Sequence, residues 1–378
     1  MDKRLLGELT PKEFLSTYWQ KKPLLIRQAI PGFAGTVSRD RLFALARDED
    51  VESRLVSRGA EGWAVQHGPQ RATDLRRKRD PWTVLVQGVN LHDAESDALM
   101  RRFDFIPQTR LDDLMVSYAI DGGGVGPHFD DYDVFLLQGM GRRRWQIGQQ
   151  ADRSVIEDAP LKVLSNFTPE HDWILEPGDM LYLPPEWAHN GIAIGECMTY
   201  SIGFRSPSAN ELVGEFFTFM QERVCLDGLY RDPDLRFQRN SARVSADMID
   251  QVSGMIRRAQ WGRREVADFL GHYLSEPKPS VFFEPPEAPV SRRSFERRLA
   301  RHGLQLDRRS ILLWQKGRFY LNGERQEIAR EDRKAVRQFA HQRSLSPKAA
   351  TALSAPTRAT CYEWYLDGFA HSMPGHDD

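Results

Sequence analysis

From residue 113 to residue 204 the chain reads as short apolar runs, each cut off by glycine, proline or aspartate. Strands are expected at 114–120, 132–138, 143–148, 173–175, 180–184 and 198–203. Several short strands at regular spacing predict a sandwich or small barrel, in which side chains alternate between an interior and an exterior face. That expectation constrains the rest of the reading, because it fixes which residues can meet inside.

Upstream, Thr10-Pro11-Lys12-Glu13 is a helix start: hydroxyl cap, proline at the first helical position and glutamate three residues after the cap. A short buried strand follows at Pro23-Leu24-Leu25-Ile26, then a second helix at 38–46. Arg54-Leu55-Val56 and Trp63-Ala64-Val65 read as edge strands around a Gly59/Gly62 turn, 82–87 as a strand and 93–103 as a helix. Arg76-Arg77-Lys78-Arg79 reads as a wet loop surface rather than a targeting or nucleic-acid patch.

After Arg205-Ser206-Pro207-Ser208 the pattern turns helical. Leu212, Phe216, Phe219 and Met220 recur at helical spacing, as do Met248, Val252, Met255 and Ile256, then Val266, Phe269, Leu270 and Tyr273. Pro277-Lys278-Pro279 and Glu284-Pro285-Pro286-Glu287-Ala288-Pro289 mark a linker. Beyond it come a helix at 291–302, two strand-like runs at 311–314 and 318–321 joined through Lys316-Gly317, and further helices, the layout of a winged-helix module. At 378 residues the chain is long for one core, and three regions are expected: 1–205, 206–276 and 277–378.

Charge is uneven along the chain. Residues 111–205 hold 15 acidic and 6 basic residues, residues 274–360 hold 9 and 18. An acidic central region can steer a basic substrate toward it, and the same numbers also describe two separate solvated faces. Cys197, Cys225 and Cys361 are odd in number and far apart, no apolar run has the length of a membrane span, and the first residues carry no signal-peptide core. A reducing cytoplasm is the expected compartment.

The chemistry is carried by Gly126-Pro127-His128-Phe129-Asp130 together with His189 in Leu183-Pro184-Pro185-Glu186-Trp187-Ala188-His189. A histidine, a carboxylate two residues on and a distant second histidine make a facial triad, the ligand set of an iron(II) site that keeps coordination positions open. The run Gly122-Gly123-Gly124-Val125-Gly126 lets the backbone turn closely before His128; no Lys-Ser/Thr follows it, which argues against a phosphate cradle. Taken alone, His189 serves equally as a ligand or as a structural histidine, and His171 is a second candidate in a polar loop. In Gly141-Arg142-Arg143-Arg144-Trp145-Gln146-Ile147, strand alternation puts Arg143 on one face with Trp145 and Ile147. An inward arginine needs an anion: either an internal carboxylate such as Asp133 or Asp179, or a ligand carboxylate, with Ser117 placed to add a hydroxyl. Iron ligands plus an inward arginine in one barrel suit 2-oxoglutarate, with its keto-acid end on the metal and its far carboxylate on Arg143.

These residues resemble a known family. Gly-Gly-Gly-Val-Gly-Pro-His-Phe-Asp with Tyr-Asp-Val-Phe, Gly-Arg-Arg-Arg-Trp and Gly-Asp-Met-Leu-Tyr-Leu-Pro-Pro-x-Trp-x-His are similar to the JmjC-type 2-oxoglutarate oxygenases. More narrowly they resemble the bacterial ribosomal oxygenases that hydroxylate an arginine of large-subunit ribosomal protein sixteen. The resemblance implies an α+β chain: a double-stranded β-helix (cupin-like jelly roll), a helical dimerisation segment and a C-terminal winged-helix domain. It implies Fe(II) held by His128, Asp130 and His189, 2-oxoglutarate anchored by Arg143 with help from Ser117, O2 as oxidant and hydroxylation at the arginine β-carbon. It also implies a homodimer and a ribosomal protein substrate. An uncharged amide is implied after Asp130, where this chain has Asp131; by charge alone, Asp121, Asp131 or Asp133 can receive a substrate guanidinium. The same chemistry on a ribosomal-protein histidine, a methyl-lysine or tRNA is the alternative among enzymes, with the basic C-terminal region leaving RNA contact open. A non-catalytic cupin-type binding module is the alternative outside them, and an inward Arg143 argues against it.

Overall fold

The computed structural model describes residues 5–77 and 79–373 and divides into two compact units. The first runs through Ser206 and takes up residues 279–282; the second comprises residues 207–278 and 283–378.

The first unit opens with α1 (Pro11–Thr17). Thr10 accepts from the Glu13 amide while the Glu13 carboxylate accepts from the Thr10 amide, so two helix-end donors are satisfied reciprocally. Then come β1 (Leu24–Ile26), α2 (Arg39–Ala46), β2 (Ser53–Gly59), β3 (Gly62–His67), β4 (Trp82–Val86), α3 (Val89–His92) and α4 (Ala94–Arg101). The remaining strands are β5 (Leu111–Ala119), β6 (Val134–Gln138), β7 (Arg142–Gly148), β8 (His171–Leu175), β9 (Met180–Leu183), β10 (Ala188–Ile194) and β11 (Cys197–Phe204). They form an eight-stranded antiparallel sheet in the order β1-β9-β6-β11-β5-β4-β2-β3 and a three-stranded sheet β10-β7-β8.

The strands expected between 113 and 204 are all present, and one more, β10, joins them. Two expectations are corrected. Of the two strands read as edges only β3 is one, because β4 pairs along the other side of β2 from Ser53 to Ser57. His171, read as lying in a polar loop, opens β8 and pairs with Ile147 of β7, while His189 lies in β10, which takes its register from β7. Of the basic run 76–79, Lys78 lies outside the described residues.

Two apolar clusters organise this unit. On one face of the large sheet Phe14, Leu42, Trp82, Phe103, Phe135, Tyr182 and Tyr200 belong to one buried cluster, drawing α1, α2 and α4's flank onto the strands. Phe14 is fully buried with its ring against Phe105, Phe135 and Tyr182 at 5.9, 5.4 and 4.9 Å between centroids. The second cluster takes Val134, Leu136, Leu181 and Leu183 from the large sheet and Trp145, Ile147 and Leu175 from the small one. The two sheets therefore share a core, as two inner faces of a sandwich do.

The second unit contains α5 (Ala209–Gln221), α6 (Ala246–Arg258), α7 (Arg263–Ser275) and α8 (Arg292–His302). It continues through β12 (Leu304–Leu306), β13 (Leu312–Gln315), β14 (Arg318–Leu321), β15 (Glu324–Gln326), α9 (Arg333–Gln342), β16 (Ser344–Leu345), α10 (Pro347–Thr351), α11 (Ala355–Leu366) and β17 (Ala370–Ser372). β13-β14-β15 make one small antiparallel sheet and β16-β12-β17 another, around a core that includes Phe295, Leu299, Phe319, Phe339, Cys361 and Trp364. In α5 only Phe216 and Met220 are buried, and α6 buries no residue in this chain. Among the described residues no helix is long and apolar enough to cross a membrane.

Replacing Phe14 by alanine removes a fully buried ring from the aromatic cluster beneath the large sheet. A loss of about 3–5 kcal/mol is expected, read as a lower urea midpoint for the first unit by tryptophan fluorescence. A loss below about 1 kcal/mol would show that the cluster does not hold α1 on the sheet.

Candidate metal centre

The three candidate ligands are carried on two segments that the backbone ties together. The His128 amide donates to the His189 carbonyl at 3.0 Å and the His189 amide donates back to the His128 carbonyl at 2.9 Å. The segment carrying Asp130 is held by a third bond, from the Glu186 amide to the Asp130 carbonyl at 3.0 Å. The turn into His128 depends on Gly126, whose φ is +80° and where a Cβ would lie 2.8 Å from Val163 and 2.9 Å from the Trp63 ring. No other residue fits that backbone and that space without a shift.

His128, Asp130 and His189 present one ligand atom each, all within 4.8 Å of one another. His128 Nε2 lies 3.8 Å from Asp130 Oδ1 and His189 Nε2 lies 3.5 Å from Asp130 Oδ2. Each imidazole has its Nδ1 on a backbone carbonyl: His128 on Gly126 at 2.9 Å, His189 on Trp187 at 3.0 Å. A carbonyl only accepts, so each ring carries its proton on Nδ1 and turns a lone pair on Nε2 toward Asp130. Two neutral imidazoles and a carboxylate, oriented by backbone acceptors behind them, fit a divalent transition metal with open positions. Among the described residues this is the one such cluster of histidine, cysteine or acidic side chains. His171, the other candidate, is exposed on β8 and stacks on Trp173 at 4.8 Å.

Arg143 is 5 % exposed, on the face of β7 that also buries Trp145 and Ile147, while Arg142 and Arg144 point outward. Its Nη1 donates to Ser117 Oγ at 3.2 Å, and its Nε and Nη2 have no hydrogen-bond partner among the described residues. The internal carboxylates weighed as its counter-ions are engaged elsewhere. Asp133 accepts from Tyr182 Oη at 2.6 Å and Gln20 Nε2 at 2.9 Å, with Arg110 at 3.4 Å. Asp179 accepts from the Gln28 amide at 2.9 Å and from Arg27 at 2.6 Å. A guanidinium buried with one neutral partner is costly and calls for an anion from outside the chain. The same bonds remove Asp133, fully buried, as a receiver for a substrate guanidinium. Asp131 and Asp121 are exposed, and Asp121 accepts from the Gly195 amide at 2.7 Å.

Residues 98–212 match the JmjC domain family, and residues 256–371 match the ROXA-like winged helix. The ribosomal protein uL16 3-hydroxylase of Escherichia coli (strain K12) is 37 % identical over 278 residues, covering 73 % of this chain and 74 % of that protein. This chain is a JmjC-domain ribosomal oxygenase. A probable ribosomal oxygenase of Haemophilus influenzae is 36 % identical over 295 residues, 76 % of the oxygenase described here and 70 % of that protein. Among solved structures, that of the Escherichia coli ribosomal oxygenase YcfD in complex with cobalt and 2-oxoglutarate superimposes with a TM-score of 0.82 at 33 % identity, covering 96 % of this oxygenase and 98 % of that chain. The JmjC fold and the separate winged-helix domain expected from the sequence motifs are thus established for the oxygenase.

Complete burial, and next the neighbouring His128, push the His189 imidazole down from its ordinary value to about 4, against an opposing pull from Asp130. Unfolded, the same imidazole titrates near 6.5, so between pH 6.5 and about 4 the unfolded chain binds a proton that the folded chain does not. Stability of the metal-free protein therefore falls as the pH drops through that window. A His189→Leu variant should lose this part of the slope when melting temperature is followed against pH; parallel slopes would mean that His189 is hydrated in the folded state.

Proposed function

We propose that this oxygenase hydroxylates the β-carbon of an arginine in large-subunit ribosomal protein uL16, with Fe(II) held by His128, Asp130 and His189, O2 as oxidant, and 2-oxoglutarate anchored by Arg143 and Ser117. The observation that carries the reading is the buried Arg143 guanidinium with Nε and Nη2 free, on the same strand face that leads to the triad. A binding module has no use for an unpaired buried cation; an enzyme that takes up a dicarboxylate does. Similarity to the uL16 hydroxylase over most of both chains supports the substrate.

The chemistry supplied at such a centre is oxidative: 2-oxoglutarate is decarboxylated to succinate as O2 is consumed, and one oxygen atom is placed on the substrate carbon. The chain's own part is positional. The backbone carbonyls of Gly126 and Trp187 keep both imidazoles in the tautomer that can ligate. Arg143 and Ser117 give the dicarboxylate one orientation, so that its keto-acid end is delivered toward the triad. The apolar cluster around Trp145, Ile147, Leu175 and Leu183 keeps bulk water from that end of the site.

The same proposal extends to the assembly. Residues 1–205 form the catalytic domain, its two sheets closing as a double-stranded β-helix. Residues 206–276 pair two copies of the chain, and residues 277–378 form the winged-helix domain. Pairing is supported by the apolar side chains that α5 and α6 leave in solvent: Phe217 is 53 % exposed, Ile249 54 % and Ile256 67 %. A cytoplasmic location follows from a ribosomal substrate.

Unmodified ribosomal proteins incubated with the enzyme, Fe(II), ascorbate and 2-oxoglutarate should gain one oxygen on a single arginine of uL16 by mass spectrometry, and His189→Ala should abolish that gain. Succinate formation with no ribosomal protein modified would overturn the substrate. Arg143→Ala should raise the KM for 2-oxoglutarate at least tenfold, the worth of a charge-assisted pair at about 1.5–3 kcal/mol. An unchanged KM would place the anchor elsewhere.

A further inference from the structure

Trp145 carries a polar group that nothing in the fold uses. Its side chain is 5 % exposed, and its indole Nε1 is a buried donor without a partner among the described residues. A buried N–H left unpaired costs about 1–3 kcal/mol, and the two most deeply buried indoles of the described residues are satisfied. Trp82 donates to the Arg77 carbonyl at 3.0 Å and Trp364 to Gln326 at 2.8 Å.

The place of Trp145 says what the missing acceptor is. In the pairing of β7 with β10, Arg143 stands opposite Ala193, Trp145 opposite Gly191 and Ile147 opposite His189. Trp145 is thus midway between the anchor arginine and the buried histidine of the triad, on the same inward face. Its ring lies 5.7 Å from the Arg143 guanidinium carbon and 5.9 Å from the His189 ring. Gly191 makes that position possible: a Cβ there would lie 2.7 Å from the six-membered ring of the indole. Three buried donors without partners, Arg143 Nε, Arg143 Nη2 and Trp145 Nε1, therefore share one strand face. A carboxylate accepts along about four directions. The planar edge of Arg143 fills two, which leaves an oxygen able to take the indole proton as well.

Building on the anchor role proposed above for Arg143, we infer that Trp145 is a co-substrate-binding residue, its indole N–H donating to the carboxylate of 2-oxoglutarate that Arg143 holds. The contact sets selectivity for a dicarboxylate, since an analogue with a methyl group at that end leaves three buried donors unpaired instead of none.

The test uses the full-length protein loaded with Zn(II), which does not turn over, and isothermal titration with 2-oxoglutarate and with 2-oxopentanoate, which has a methyl group in place of the far carboxylate. Trp145→Phe keeps the ring and removes the donor. It should weaken 2-oxoglutarate about ten- to a hundredfold, the range for a hydrogen bond to a charged group, and leave 2-oxopentanoate within twofold. Equal weakening of both ligands would reduce Trp145 to packing and overturn the inference. So would wild-type-like binding of 2-oxoglutarate by Trp145→Phe while Arg143→Met loses it. If Arg143→Met binds 2-oxoglutarate as the wild type does, the anchor reading falls first and the inference with it. An independent readout needs no folded variant. The Trp145 indole resonance of the 15N-tryptophan-labelled wild-type protein should move and exchange more slowly with solvent on adding 2-oxoglutarate, and a resonance that stays in place overturns the contact.

Discussion

Two backbone hydrogen bonds between His128 and His189 set the geometry on which the rest of the site depends. They join a segment that follows a glycine-rich turn to a strand that begins after a double proline, 61 residues further along the chain. Because each bond is made by the ligand residue itself, the separation of the two backbones does not depend on any flexible side chain, and the Nδ1 bonds to Gly126 and Trp187 then orient the rings. The rings sit 4.2 Å apart between centroids, and Asp130, two residues on from His128, reaches both. A metal site built this way is preorganised by the sheet, and its ligands need lose little freedom on binding.

Much of this was legible in the chain. The Thr10–Glu13 capping box and the inward face of Arg143, Trp145 and Ile147 follow from local rules of period and spacing, and the structure brings His128, Asp130 and His189, singled out in the motifs, to one place. What stayed hidden depends on partners distant in sequence. Ala188-His189-Asn190-Gly191 contains no β-branched residue and carries no strand signal of its own; it is a strand because β7 lies beside it, with Gly191 leaving the space that Trp145 fills. Asp133 is open to a substrate guanidinium by charge alone, and charge carries no information on burial. Its burial is decided by Tyr182 and by Gln20, 113 residues away. The strands β12, β16 and β17 are two or three residues long, too short to show any period, and exist only as a set that brings residues 304–306, 344–345 and 370–372 together.

The second unit shows the complementary case, a region whose helices were plain while their surroundings were not. The stripes on α5, α6 and α7 were visible as apolar repeats, yet the same pattern has different fates. Phe269 of α7 is buried against Phe216 and Phe219, whereas Met248 and Ile256 of α6 face solvent in this chain. Helical period identifies a face that wants burial, and it is silent on whether the burying surface belongs to the same chain.

Among the described residues two arginines are strongly buried, and on them the distinction between structure and function can be made physically. Arg343, 6 % exposed, donates to the carbonyls of Asp307, Ser310 and Arg308, a cage of backbone acceptors that closes the winged-helix core. Its charge is dispersed over dipoles the fold already owns, and its job is finished when the domain folds. Arg143 is as deeply buried and meets one hydroxyl. Desolvating a guanidinium costs several kcal/mol whichever residue carries it, so the fold tolerates Arg143 as it stands only at the expense of stability. In the anchor role proposed for it, that cost would be recovered when a carboxylate arrives, which would make binding energy at Arg143 largely the relief of an existing penalty. Such a site discriminates steeply: a ligand that lacks the carboxylate leaves the penalty in place, and a ligand that has it gains the interaction without new ordering of the protein.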